Sequence, residues 1–182
     1  TGESGAGKEH FPKIIHHYSS RKHEPYFAIN CGAIPEGTID SELFGHEKGA
    51  FTDAHRSKAG RMEAASGGTL FLDEIGNLSP AMQSKLLAAL ERRTICRLGS
   101  TREIPIDIRL ISATNADIRM EVQEGHFRQD LLYRINTVEI HMPPLRERGN
   151  DILMLAEFFL SRFATKYKKE VTKISREAGK KL

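Results

Sequence analysis

Tryptophan is absent from this 182-residue chain, and cysteine occurs only at Cys31 and Cys96. Two cysteines so far apart form no C-x-x-C pair, which speaks against a disulfide framework and fits a reducing cytosol. No apolar run approaches the ~20 residues of a membrane span, and no signal peptide is read, so a cytoplasmic protein without membrane contact is expected. Eight histidines are scattered without H-E-x-x-H or Cys/His spacing, which argues against a transition-metal site. A helix-turn-helix, a zinc finger and an aromatic-basic platform are all missing, so these residues are not expected to read DNA. There are no repeats and no low-complexity tract.

Positive charge is also scarcer than the net +3 suggests. Residues 165–182 carry six Lys and one Arg against two Glu, a local +5 that leaves −2 for the rest. Such a tail reads as a solvated helix face rather than a nucleic-acid footprint. An apolar content of 39% and a charged content of 28% are ordinary for a globular chain, and the length suits one domain with the start of a second.

What the chain does have begins at once, in TGESGAGKE at residues 1–9. Gly2, Gly5 and Gly7 lead into Lys8 with the G-x-x-x-x-G-K spacing of a phosphate-binding loop. Glycine tolerates positive φ and has no Cβ, so such a loop can wrap its N–H groups around a polyphosphate. The generic pattern places Ser or Thr next, to hold Mg²⁺; here the residue is Glu9. A helix is expected over residues 8–20, which would set Lys8 at a helix N-terminus that favours an anion.

Residues 26–29 read as a buried strand ending at Asn30, followed by a short helix near residues 40–44. The segment ELFGHEKGAFTDA, residues 42–54, keeps neither helical nor strand periodicity and reads as a hairpin-like excursion carrying Phe51. Whether Phe51 is exposed or folds into the core stays open from the segment alone. After a short helix at 61–65, Gly67-Gly68 introduces the apolar run 69–72, a strand buried on both faces that ends in Asp73-Glu74. Carboxylates at the C-terminal end of such a strand stand where open α/β sheets bind ligands. Asp73 suits Mg²⁺ and Glu74 suits a general base, against the plainer alternative that both cap the next helix. Residues 80–92 form an amphipathic helix, 94–105 a turn or loop, and 106–113 another strand ending in Thr114-Asn115. Those two could orient a water or a γ-phosphate, or simply serve as an N-cap for the next segment. A helix over 127–135 holds Arg128 and Arg134, 137–142 is a last strand, and 151–168 an amphipathic helix.

Together these residues resemble the AAA+ ATPase domain of bacterial sigma-54-dependent transcriptional activators. GESGAGKE resembles the Walker A loop of that family, Glu9 included, and ELFGHEKGAFTDA resembles its signature loop. GGTLFLDE at residues 67–74 is similar to its Walker B segment, and SATN at 112–115 to its first sensor. FRQDLLYR at 127–134 resembles its arginine-finger helix, and PPLRER at 143–148 its link to the lid.

The resemblance implies an α/β, three-layer P-loop NTPase with a mostly parallel sheet. Its α/β subdomain would span residues 1–148 and the start of a helical lid 149–182. It implies ATP and Mg²⁺ held by Gly2, Glu3, Ser4, Gly5, Ala6, Gly7, Lys8, Glu9 and Asp73, with Asp73 serving the metal through water. Glu74 would activate water, Asn30 would hold Glu74 off-line, and Thr114 and Asn115 would sense the γ-phosphate. Arg128 and Arg134 would act in trans within a homo-oligomeric ring, typically a hexamer. Gly49, Ala50, Phe51, Thr52, Asp53 and Ala54 would touch the sigma-54 RNA polymerase holoenzyme, whose closed promoter complex the motor opens. DNA would be reached only through a separate domain. The family signature has a second glycine where this chain has Asp53, whose Cβ and charge are expected to constrain the tip. The strand before Walker A and most of the lid lie outside the chain, which predicts unpaired sheet edges and weakened ATP binding. Another AAA+ remodelling ATPase and a nucleotide-degenerate interaction module remain the alternatives.

Overall fold

The computed structural model describes residues 1–179. Its contacts divide the chain into two compact units, Thr1–His141 and Met142–Leu182.

In the first unit, a glycine-containing loop leads to α1 (Phe11–His17), β1 (Tyr26–Asn30), α2 (Glu36–Phe44) and the short strands β2 (Gly45–His46) and β3 (Lys58–Ala59). There follow α3 (Arg61–Ala64), β4 (Thr69–Asp73), a 3₁₀ turn (Ile75–Asn77), α4 (Pro80–Arg92), β5 (Thr94–Cys96) and β6 (Glu103–Pro105). The unit closes with β7 (Arg109–Ser112), α5 (Ile118–Gln123) and α6 (Gln129–Ile135). The second unit holds a 3₁₀ turn (Leu145–Glu147), α7 (Asp151–Tyr167) and α8 (Arg176–Gly179).

The central sheet is parallel in the order β1-β4-β7. Its middle strand β4 buries Thr69, Leu70, Phe71 and Leu72 because helices and loops cover both faces, as the continuous apolar run predicts. Leu70, Leu72, Leu86, Met62, Ile75 and Leu131 are buried in one cluster that ties the strand to α3, α4 and α6. Truncating one such leucine to alanine costs about 2–5 kcal/mol. His16 of α1 lies with Nδ1 2.9 Å from Thr69 Oγ1, both buried, which fixes that helix against the start of β4.

Several expected elements fall differently. α1 begins at Phe11 rather than residue 8, because Pro12 has no N–H to give an earlier turn and belongs in the first one. Lys8 therefore lies in the turn before the helix. α2 starts at Glu36, a turn earlier than its sequence suggests, with Gly37 inside it. Residues 94–105 are no plain loop: β5 and β6 pair antiparallel, Ile95 opposite Ile104. Arg128 precedes α6 in extended backbone instead of lying within it. Of the expected strand at 137–142, only an isolated bridge at Met142 forms among the described residues. Residues 137–141 are exposed and make no strand ladder, although Ile140 O accepts the Thr1 amine at 2.8 Å.

The excursion after β2 is a hairpin, with Gly45 opposite Ala59 and His46 opposite Lys58. Arg97, beside β5, grips its base: Nη1 reaches Glu47 Oε1 at 3.0 Å, while Nε and Nη2 fork onto Glu63 at 2.9 and 2.7 Å. Hydrogen bonds from Glu47 N to Leu98 O and from Leu98 N to Gly45 O, both 2.9 Å, seam the two hairpins together.

Within the second unit, α7 is amphipathic as read. Phe159, Phe163 and Tyr167, one turn apart, stack with ring centroids 6.1 Å apart at each step. Of the basic tail, residues 180–182 lie outside the described residues.

Candidate functional site

Parallel register brings three strand ends into a row. Asn30 closes β1 directly opposite Asp73 of β4, and Ala113 N donates to Leu72 O at 2.9 Å, bringing Thr114 alongside. Asn30 Nδ2 donates to Asp73 Oδ2 at 3.3 Å, and its Oδ1 accepts the N–H groups of Gly32 and Ala33 at 2.9 and 3.0 Å. Asn30 thus orients Asp73, and the expected Asn30–Glu74 hydrogen bond is absent among the described residues. The partner of Glu74 is Asn77, whose Nδ2 donates to Glu74 Oε2 at 3.1 Å.

Glu74 adopts a left-handed backbone, φ 52° and ψ 46°, and makes no capping hydrogen bond to the following turn. An L-residue there costs about 1–2 kcal/mol, a conformation retained where surroundings over-determine it. The capping alternative for the acidic pair is accordingly not realised. Its carboxylate rests against the backbone of Gly32: a Cβ there would lie 2.3 Å from Glu74 Oε2 and 2.6 Å from Asn77 Nδ2. Gly32 and Asn77 are the two members that sequence reasoning missed. Asn77, three residues beyond Glu74 in a turn, was the one available signal.

Buried Thr114 uses Oγ1 to accept Ala116 N–H at 3.1 Å, shaping the turn after β7, while Asn115 is exposed. Neither caps α5: that role belongs to Asp117, which accepts from Arg119 N and Met120 N. Cys31, buried beside these carboxylates, has its thiol pushed up to about 12, by burial first and then by the charges of Asp73 and Glu74. Burial, then Asp73, likewise raises the Tyr26 phenol.

In the glycine loop, Gly2, Gly5 and Gly7 take φ of 152°, 79° and 90°. A Cβ at Gly5 or Gly7 would meet nothing within 4 Å, so left-handed backbone, not space, requires glycine there. Lys8 curls its ammonium back onto the loop, donating from Nζ to Gly2 O at 2.6 Å and Glu3 O at 2.8 Å. Ser4 and Gly5 form the turn between, Ala6 is buried, and Glu9 is exposed. A loop that supplies positive-φ glycines and an ammonium at its centre fits a polyphosphate.

The two arginines stand apart from the strand-end row. Arg128 forks onto Asp130 from Nε and Nη2 at 3.0 and 2.6 Å and reaches Ser84 Oγ from Nη1 at 3.0 Å. That pairing raises the Arg128 guanidinium and lowers the Asp130 carboxyl. Arg134 donates from Nη2 to Leu90 O at 2.9 Å. It also lines an open cleft of about 490 Å³ with Arg21, Arg93 and Leu110.

At the excursion, Phe51 is neither free nor buried: its ring meets His46 edge-on at 4.9 Å and stays 44% exposed. Gly49 has φ 85°, whereas Asp53 is not among the positive-φ residues, so glycine is not required at position 53 in this conformation. Ala50 and Thr52 flank the ring, and Ala54 is buried, its N–H donated to Phe51 O at 2.9 Å. Among the described residues, exposed His126 stands within 3.2 and 3.4 Å of Glu121 and Glu124, a group of possible ligands.

Parallel strands ending in an acidic pair, in a chain that opens with a glycine loop carrying a lysine, have the make-up of an α/β P-loop NTPase. The P-loop NTPase domain of a sigma-54 transport activator from E. coli shares this fold, with TM-score 0.50 at 17% identity over 79% of this chain and 80% of that one. More closely, the pattern of the Sigma-54 interaction domain matches residues 1–141, and the chain belongs to that family.

The Nif-specific regulatory protein of Sinorhizobium fredii is 56% identical over 162 residues, covering 89% of this chain and 27% of that protein. Its namesake from Herbaspirillum seropedicae is 51% identical over 179 residues, covering 98% of this chain and 33% of that protein. A crystal structure of NtrX from Brucella abortus in complex with ATP aligns with TM-score 0.87 at 35% identity, over 96% of this chain and 38% of that one. The chain thus spans about a third of the length of the relatives it matches.

Proposed function

We propose that this chain is the ATP-hydrolysing motor of a sigma-54-dependent transcriptional regulator, with an α/β subdomain over residues 1–148 and the start of a lid over 149–182. One observation carries the reading: Asp73 and Glu74 end the central parallel strand with separate partners, Asn30 for the first and Asn77 for the second. Two adjacent carboxylates so divided suit two tasks, one holding a cation and the other a water.

Lys8, released from the carbonyls it now caps, would hold the β- and γ-phosphates, with the N–H groups of residues 2–9 around them. Mg²⁺ bound through water at Asp73 would neutralise charge on the β- and γ-oxygens. Glu74, which leaves the strand in left-handed backbone, would act as general base on the attacking water. Thr114 and Asn115, at the adjacent strand end, would sense the γ-phosphate. Arg128 and Arg134 belong to a neighbouring subunit's nucleotide, which makes a homo-oligomeric ring, typically a hexamer, the active form. The excursion carrying residues 49–54 presents Phe51 to sigma-54 holoenzyme, and hydrolysis drives opening of the promoter complex.

The test is ATP hydrolysis by the whole protein, with and without sigma-54, for the wild type and Glu74→Gln. Removing the base slows hydrolysis by roughly 10²–10⁴-fold while ATP binding persists. A Glu74→Gln protein that hydrolyses ATP normally refutes the reading.

A further inference from the structure

Gln83 sits on the buried face of α4 among Met82, Leu86, Leu87 and Ala89, with no exposed surface. A polar side chain in such a place is retained only with its hydrogen bonds made. Its Nε2 donates to Leu78 O at 2.8 Å and to His126 O at 2.9 Å, and its Oε1 accepts the Arg128 N–H at 2.8 Å. Both amide donors and the acceptor are used, and two carbonyls against one N–H fix which way the amide points. The next residue, Ser84, accepts the Arg128 guanidinium through Oγ. Adjacent residues of one helix therefore hold the main chain and the side chain of the same arginine.

We infer that Gln83 is the positioning residue for Arg128, setting where that arginine leaves the subunit to meet the nucleotide of its neighbour. The inference rests on the proposed role of Arg128 in trans. Arg128 precedes α6 in extended backbone, φ −76° and ψ 130°, so no intrahelical bond fixes its N–H. Buried Phe127 anchors the segment by packing, but packing alone leaves the peptide plane free to tilt. The Gln83 amide removes that freedom by gripping the carbonyl of 126 and the N–H of 128 together. Any aliphatic side chain of similar size would fill the space on α4. An amide of that length supplies two donors and an acceptor at once, which an aliphatic side chain cannot.

A purely structural glutamine and a positioning one differ in direction. The experiment is ATP hydrolysis by the whole protein carrying Gln83→Met, alone and mixed with excess Glu74→Gln subunits, which cannot hydrolyse but offer an intact Arg128. Gln83→Met alone is expected to hydrolyse at least about tenfold slower with unchanged ATP affinity, and mixing to restore its rate per subunit to within about threefold of wild type. A normal rate for Gln83→Met alone, or no recovery on mixing, overturns the proposal. Arg128→Ala, assayed the same way, separates the two ideas. If it hydrolyses normally, the role of Arg128 falls and takes Gln83 with it; if it is slow and rescued while Gln83→Met is not, only Gln83 falls. Should Gln83→Met fail to fold, amide exchange of the unmodified protein decides. The Arg128 N–H is expected to exchange at least about tenfold slower than that of Gln129, and equal rates overturn the proposal.

Discussion

Asn77 donates to the carboxylate of Glu74 at 3.1 Å, across a single 3₁₀ turn. The proposed base is held by its own strand's exit rather than by the neighbouring strand. A hydrogen bond to a carboxylate occupies an oxygen that would otherwise be open to the attacking water. Asn77→Ala should therefore raise basal ATP hydrolysis about threefold, an effect that vanishes in a Glu74→Gln background. A double-mutant cycle on the steady-state rate checks it, and additive effects would show that the contact does not bear on hydrolysis.

Gly32 offers a cleaner probe of the same carboxylate. Its φ is not left-handed, so alanine brings no backbone strain, yet a Cβ would fall 2.3 Å from Glu74 Oε2. Gly32→Ala is expected to displace Glu74 by about an ångström and slow hydrolysis roughly 10²-fold with little change in melting temperature. Loss of ATP binding in place of turnover would assign Gly32 to the fold instead.

Cys31 makes alkaline pH a stability variable. Its thiol stays protonated in the folded protein to about 12, while the unfolded chain loses that proton near 9. Between those values the unfolded state binds fewer protons, so stability falls by about 1.4 kcal/mol per pH unit from this group. The Tyr26 phenol, also raised, adds to the fall from about pH 10 upward. Denaturant midpoints measured from about pH 8 to 11 should slope downward, with the slope reduced in Cys31→Ala. At neutral pH, a thiol reagent should label exposed Cys96 and spare Cys31.

Phe51 is the test of the excursion. Phe51→Ala removes a ring whose one aromatic partner among the described residues is His46. Sigma-54 binding should weaken by about tenfold or more, while ATP hydrolysis without sigma-54 stays within about twofold. Equal sigma-54 affinity in a pull-down or anisotropy titration would remove the ring from the interface.

What could be read from the chain alone was whatever a short window determines. β4 announced itself through the unbroken run 69–72, and α4 through Pro80 at its first turn and apolar residues at helical spacing. The glycine loop and the acidic pair were legible because each packs its chemistry into a few adjacent residues. β5 and β6 were not, being three residues each and stable only as a pair. Residues 137–141 carry strand-like periodicity but join no ladder among the described residues, and a strand exists only through its neighbour. The grip of Gln83 on residues 126–128 and the rest of Glu74 on Gly32 join residues about 40 positions apart, beyond any local pattern.

The two hairpins share one guanidinium. Arg97 binds Glu47 at the root of the excursion and Glu63 on α3, just ahead of β4, so one side chain ties the segment bearing Phe51 to the element that precedes the central strand. Under the proposed function, Arg97→Ala should leave sigma-54 binding and basal ATP hydrolysis in place and remove the response of hydrolysis to sigma-54.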